Sequence, residues 1–410
     1  MELKLINFLS NLTKAMHISG SNALELERHV HQLGKRFGVE AHCLALPTML
    51  TITLETEKQG QHSKLVRLPA YDFNMQRLIA LKDMIRKLNS LQQLEQAELQ
   101  LNTIMQTASP WKSWQMALSG LVLSSCIALL LGGALPEMLV AGAVGLLFVL
   151  LYLLLSKFQD LSHIMPVLLC TFAALCTYAI SIVIPITSPF VVILASIVLM
   201  LPGFTITIAM IELATGNLLA GTGRLAGAFI LLLMMAAGVA IGTKIGSEWF
   251  PYQTLSNLDK LPDWLVWPCV AMLGLTLMVF LQAPLKSLHI MIGACLLAFG
   301  VSVTVSSWFG PAAGAFTGAF SVAMVGQLYQ RFSNEPGILI QIPGLITLVP
   351  GSVGFKGLHS LMEQDNLAGI STITSMMITG AALVIGTLLA NSLAISRATR
   401  EIAPIQSSEP

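Results

Sequence analysis

The sequence predicts an α-helical polytopic membrane protein, with about ten transmembrane helices as two inverted five-helix repeats, preceded by a small soluble α+β domain. Three observations predict it. Of 410 residues, 55% are hydrophobic and only 10% are charged, against roughly 25% charged in soluble domains. The charges are uneven: residues 1–113 hold 13 Lys/Arg and 10 Asp/Glu, whereas residues 114–396 hold 7 and 9. The punctuation of the apolar part also recurs in one register at an offset of 148 residues.

The soluble domain covers 1–112. A helix runs through about Leu5–Met16, and "SNALELERHVHQLGKRFG" reads as a second. There Ser21/Asn22 supply the cap, Leu24, Leu26, Val30 and Leu33 recur near helical spacing, and Gly38 ends it. "HCLALPTMLTITLE" reads as two short strands around Pro47, and "SKLVRLPA" as a third. "DFNMQRLIALKDMIRKL" is a helix with Asp72 as its expected N-cap, and a Leu/Gln-rich helix leads to Pro110. The start of the chain lacks the apolar core and cleavage site of a signal peptide, so the domain is expected in the cytoplasm.

Beyond it, segments of spanning length fall near 115–134, 138–156, 163–184, 189–210 and 225–246, then 264–283, 287–305, 311–330, 337–358 and 369–394. The expected domains are a first repeat at 113–246, an extracytoplasmic connector at 247–263, a second repeat at 264–396 and a cytoplasmic tail at 397–410. With the N-domain inside, Lys112, Lys157, Arg224, Lys286, Arg331, Arg397 and Arg400 face the cytoplasm, and Lys244, Lys260 and Lys356 face out. That bias follows the positive-inside rule.

The offset of 148 places Pro136 on Pro284, Gly145 on Gly293, Pro202-Gly203 on Pro350-Gly351, "LAG" 219–221 on 367–369, and Gly238 on Gly386. Five spans per half, an odd number, give an inverted repeat, an architecture of secondary transporters whose sites lie near the midplane at broken helices. The paired breaks are "MLPGFT" and "LVPGSV", the second preceded by Pro343-Gly344. Helix N-termini freed at Gly203 and Gly351 suit a substrate carboxylate, and carbonyls freed before the prolines suit an ammonium or hydroxyl. The expected ligand is a zwitterion or small carboxylate. Thr205, Thr207, Gln341 and Ser352 flank the breaks as candidate substrate contacts, although back-bonding to a helix's own carbonyls is an equally ordinary role for the threonines.

The run "LPGFTITIAMIELATGNLLAGTGRL", Leu201 to Leu225, resembles the bacterial threonine/serine exporter family, as do "IPGLITLVPGSV" and the N-domain stretches "SGSNALELERHVHQLGKRFGV" and "YDFNMQRLIALKDMIRKL". The matching positions are Pro202, Gly203, Glu212-Leu213, Gly216, Gly221 and Arg224-Leu225, with both halves of the family fused in one chain. Three departures stand out: Glu212 where the family usually has Asp, Asn217 where it has an acidic residue, and no acidic-Ser/Thr-x-Arg run after Gly20. The resemblance implies export of threonine and serine driven by the proton motive force, from a bacterial inner membrane. The alternative within transport is a dicarboxylate such as succinate.

Glu212, Asn217 and Arg224 are the candidate coupling or gating residues. A carboxylate within a membrane helix is costly and commonly functional. The plainer reading of Glu212 is an interfacial carboxylate paired with Arg224 across a tight loop.

Several classes fall away. A net charge of +1 without a basic cluster argues against nucleic acid. The six cysteines show no metal-ligand spacing, five of them lying in apolar runs, and His29, His31 and His42 lack metal-like partners. No catalytic triad, zinc-protease motif or phosphate loop is present, so neither an enzyme nor a cofactor is expected. The expected partners are a small-molecule substrate, protons and the lipid bilayer; a homo-oligomer is allowed.

Overall fold

The computed structural model describes residues 2–56, 60–69, 73–88, 91–251, 261–333, 335–349, 351–362 and 365–401. The chain divides into two compact units, Met1–Leu288 and His289–Pro410.

The N-terminal elements are α1 (Glu2–Ile18), α2 (Ala23–Arg36), β1 (Glu40–Ala45), β2 (Met49–Thr56), β3 (Gly60–Arg67), α3 (Met75–Lys87) and α4 (Leu94–Gln106). The strands form one antiparallel sheet in the order β1-β2-β3, with Pro47 in the turn between the first two. Leu50, Ile52 and Leu54 alternate onto one face, as a period of two requires, and are buried. Leu5, Leu9, Leu12 and Met16 of α1 and Leu26, Val30 and Leu33 of α2 complete that core. The side chain of Asn22 caps α2 by accepting from the Glu25 amide at 2.9 Å. Asn74 caps α3, accepting from the Arg77 amide at 2.9 Å; Asp72, expected in that role, lies outside the described residues.

The remaining helices of the first unit are α5 (Ser113–Leu130), α6 (Leu135–Leu155), α7 (Met165–Ser181), α8 (Pro189–Ser196), α9 (Gly203–Ala214), α10 (Leu218–Trp249) and α11 (Val266–Phe280). The series continues with α12 (Leu288–Phe309), α13 (Pro311–Ser333), α14 (Ile338–Leu348), α15 (Gly351–Met362) and α16 (Asn366–Glu401). The unit boundary follows α11 because α11 packs on α5; most of the expected connector, residues 252–260, lies outside the described residues. So does the tail from 402. All six cysteines are free thiols.

Among the described residues, seven helices or helix runs are long and apolar enough to cross a membrane: Ser113–Leu130, Leu135–Leu155, Leu218–Trp249, Asp263–Phe280, Leu285–Phe309, Ile338–Leu361 and Asn366–Leu393. Pro189–Ser196 with Val198–Ala214, bent by 50°, makes an eighth if counted as one span. The expected count of about ten is reduced by two helices. α7 has only 17 residues, and α13, though 23 residues long, is diluted by Gly, Ala, Ser and Gln.

The element pattern recurs. Adding 148 to α9, Gly203–Ala214, gives the bounds of α15, Gly351–Met362, and adding it to Leu218 gives Asn366, where α16 begins. Within the first unit α10 packs on α7 and α9, and α8 on α7; within the second, α16 packs on α13 and α15, and α14 on α13. Even a close approach repeats. A Cβ on Gly221 would meet Leu213 at 2.7 Å and the Ala209 carbonyl at 2.9 Å, and one on Gly369 would meet Leu361 at 2.6 Å and the Gly357 carbonyl at 3.0 Å. Each of these partners is related to its counterpart by the same offset.

Candidate functional site

Proline has no N–H to donate and its ring crowds the preceding turn, so it kinks or breaks a helix that runs into it; at Pro202 the helix breaks. α8 gives way to a 3-10 turn at Val198–Met200, and α9 starts afresh at Gly203 with Pro202 as its N-cap residue. Gly203 and Thr207 are buried; Thr207 Oγ1 donates back to the Gly203 carbonyl at 3.3 Å, and Thr205 is half-buried. Phe204, next to the break, meets Phe73 of the N-terminal domain with ring centroids 5.2 Å apart.

The other end of α9 is held more tightly. Thr215 caps the helix, Gly216 takes φ +88°, and the Asn217 amide donates back to the Glu212 carbonyl at 2.9 Å. Only glycine adopts that left-handed backbone at little cost. The reversal brings α10 beside α9, so that Arg224 faces Glu212. Its Nε donates to Oε2 at 3.0 Å and a terminal guanidinium nitrogen donates to Oε1 at 3.1 Å. Glu212 is 1% exposed and Arg224 7%. Glu212 Oε1 also accepts the backbone amide of Ala23 at 3.3 Å, across 189 residues of sequence. Ala23 opens α2, so the carboxylate sits at the positive end of that helix.

Around this pair lie groups from the N-terminal domain. Burial and the Arg224 charge push the His17 imidazole down to about 4. The Glu27 carboxyl is raised by burial and by the neighbouring Glu212 charge, against hydrogen bonds from the Ala45 amide and the Asn217 side chain. Burial would also raise Glu25, but Lys82 at 2.7 Å and the Ser21 hydroxyl at 2.7 Å hold it down to about 2. A cleft of about 180 Å³ opens beside Glu27 and Asn217, walled by Leu44–Leu46 and Leu218–Ala220.

A second contact fastens the same domain. The first amides of α3, on Met75 and Gln76, donate to the carbonyls of Leu281 and Gln282 at 2.9 and 3.2 Å. Asn74 Nδ2 donates to Gln282 Oε1 at 2.7 Å, and Trp111 Nε1 donates to the Ala283 carbonyl at 2.9 Å. Gln282 has φ 50°, the only positive φ of a non-glycine among the described residues. Two helix N-termini of the N-terminal domain, α2 and α3, are thus capped by groups from the helical part.

In the second unit, Gln341 is half-buried on α14 and donates to the Ala323 carbonyl of α13 at 3.4 Å. Pro343 lies buried inside α14, and its carbonyl accepts from Thr347 Oγ1 at 2.8 Å and from the Cys295 thiol. Gly344 is buried against Val322. Gly351 opens α15 and Ser352, half-buried, follows it; Pro350 lies outside the described residues. The structure therefore joins Glu212, Asn217 and Arg224 at one turn. Pro202, Gly203, Thr205 and Thr207 lie at the opposite end of α9, about 13 Å along the axis at 1.5 Å per residue.

Sequence reasoning missed Glu137, a carboxylate 1% exposed at the start of α6, as well as His17, Glu27 and Gln282. An acidic residue beside Pro136 at the head of a span was the available signal for Glu137; the other three carry none. On the sheet, Glu40, His42 and Glu55 each bring one ligand atom to within 4.8 Å of the others, all exposed, a placement common for surface carboxylates without an ion.

Comparison with known families covers most of the chain. The family model for a threonine/serine exporter matches residues 7–246, and a second, "Threonine/Serine exporter, ThrE", matches 266–393. The chain is 23% identical over 382 residues to Pheromone-regulated membrane protein 10 of Eremothecium gossypii, covering 89% of this chain and 51% of that protein. It is 22% identical over 400 residues to the protein of the same name in Kluyveromyces lactis, covering 94% and 41%. The chain thus spans about half or less of the length of these relatives. No solved structure matches.

Proposed function

Because the chain belongs to the threonine/serine exporter family, we propose that it is a secondary active transporter exporting threonine and serine across a bacterial inner membrane in exchange for protons. Its place as a membrane transporter follows from the family and the apolar helices. The observation that carries the finer reading is the recurrence, at an offset of 148 residues, of a break, a 12-residue helix, a turn and a long helix. Duplicated broken helices are the usual builders of substrate sites in such carriers, and that recurrence supports an inverted five-helix repeat.

The reading assigns substrate contacts to Pro202, Gly203, Thr205 and Thr207 in the first unit. In the second it assigns them to Gln341, Pro343, Gly344, Pro350, Gly351 and Ser352. First-turn amides of α9 and α15 have no partner within their own helices and carry the positive dipole end, which suits the carboxylate of an amino acid. Hydroxyls beside them suit the threonine or serine side chain. Glu212, Asn217 and Arg224 act as the gate: they tie the α9–α10 turn to the N-terminal domain, so opening the path at the break means loosening that tie. The excess of Lys and Arg on one set of loops supports cytoplasmic termini. The reading gives the chain no catalytic step and no cofactor.

The test is efflux from cells lacking native exporters, preloaded with dipeptides, following threonine, serine and succinate together with and without an uncoupler. Export of threonine and serine that the uncoupler abolishes is the expected result. Selective loss of succinate moves the protein to a dicarboxylate exporter, and efflux indifferent to the uncoupler sinks the proton coupling.

A further inference from the structure

Among the described residues, two carboxylates are buried in the helical part, and they are held in different ways. Glu212 is paired with a guanidinium through two hydrogen bonds, so a proton placed on it gives up a buried ion pair. Glu137 has no such partner. Its Oε2 accepts the Ala134 amide at 3.0 Å, at the head of α6, and its Oε1 accepts the Thr187 amide at 2.5 Å.

The elements packed on α6 are α5, α7 and α8. None of them carries Lys, Arg, His, Asp or Glu, and neither do the connecting residues 131–134 and 182–188. Their titratable groups are Cys126 on α5 and Cys170, Cys176 and Tyr178 on α7. The turn before α11, whose Leu261 and Leu265 pack around the same cluster as Met138, adds Asp263, which is exposed. A proton on Glu137 therefore neutralises a buried charge and strands no cation.

We propose that Glu137 is the carboxylate that binds and releases the transported proton, and that its protonation state sets the position of α8 and hence of the Pro202–Gly203 break. Thr187 directly precedes Ser188, the N-cap of α8, whose Oγ accepts the Val191 amide at 3.4 Å. One turn further along α6, the Ala141 carbonyl accepts from Ser196 Oγ at 3.3 Å, at the other end of α8. α6 thus grips both ends of the helix that leads into the break. When water delivers a proton to Oε1, an O–H donor replaces the acceptor facing the Thr187 amide. That hydrogen bond opens and frees the head of α8. Loss of the same proton to water restores the carboxylate and the grip, and no other atom or electron changes place.

The proton site is tested without reference to substrate; only the link to export rests on the transport reading. The measurement is the pH-difference infrared spectrum of the full chain in lipid vesicles, for wild type, Glu137→Gln, Glu137→Asp and Glu212→Gln. The protonated-carboxyl stretch that grows on acidification is expected to lose a component in Glu137→Gln, to keep it in Glu212→Gln and to titrate at a shifted midpoint in Glu137→Asp. An undiminished band in Glu137→Gln overturns the proposal. Should that variant fail to reconstitute, an unshifted titration in Glu137→Asp overturns it instead. In the same vesicles, an imposed pH gradient is expected to speed threonine or serine efflux in wild type and to lose that effect in Glu137→Gln; a variant that keeps the gradient response overturns the coupling role. Wild-type vesicles that pass neither amino acid nor succinate sink the transport reading, while the infrared titration still decides the proton site.

Discussion

Glu212 and Arg224 meet in a two-pronged buried ion pair whose carboxylate also takes the first amide of α2. One side chain of α9 therefore answers to α10 and to the N-terminal domain together. A buried charge is tolerated only when paired and hydrogen-bonded, and here the pairing spans three elements of the chain.

Removing Arg224 leaves the buried Glu212 charge without its cation. Arg224→Met is expected to destabilise the first unit by about 3–5 kcal/mol, and the Glu212→Gln/Arg224→Met double variant by less. Thermal unfolding in detergent measures both. A single variant no less stable than the double one contradicts the account of the pair.

The repeated close approach makes a paired prediction. A Cβ on Gly221 lies 2.9 Å from a backbone carbonyl, and one on Gly369 lies 3.0 Å from its counterpart. Overpacking of this kind costs about 1–3 kcal/mol, so Gly221→Val and Gly369→Val should lower Tm together and both reduce efflux. An effect at one site and none at the other would show that only one of the two helix pairs has to stay this close.

Acid should loosen the N-terminal domain in two stages. His17 sits near 4 in the fold against 6.5 in an open chain, so the unfolded state binds the extra proton. Its neutral form favours the fold above 6.5, and that contribution fades as pH falls from 6.5 to about 4. Glu25, at about 2 against 4.5, adds stability above 4.5 that is lost as pH falls toward 2. Unfolding midpoints measured against pH should show both slopes, and His17→Phe should shrink the upper one, to which His29, also lowered by burial, contributes, while leaving the lower one in place.

Asn74 has two tasks: it caps α3 and reaches Gln282. Asn74→Ala is expected to cost about 1–2 kcal/mol and to speed hydrogen exchange at the Met75 and Gln76 amides. Exchange unchanged at those two amides would mean the 281–282 carbonyls hold α3 unaided.

The parts of this fold legible in the sequence are those governed by neighbours in the chain. Pro202-Gly203 could be expected to kink or interrupt a helix, Asn22 could cap the helix that follows it, and Pro47 could mark the turn between two alternating runs, because each effect acts within a few residues. The 148-residue offset was readable for a related reason, since glycine and proline mark backbone geometry wherever they stand. The Glu212–Arg224 pair was foreseeable, twelve residues apart across a turn. That Ala23 completes it, that Gln282 receives α3, and that Glu137 stands without a cation were decided by tertiary structure alone. The physical reason lies in the membrane segments themselves. Lipid tails and helix interiors call for the same apolar residues, so these helices show little amphipathic pattern to tell an inward face from an outward one. Only packing determines which helix meets which, and therefore which polar groups of distant segments find each other.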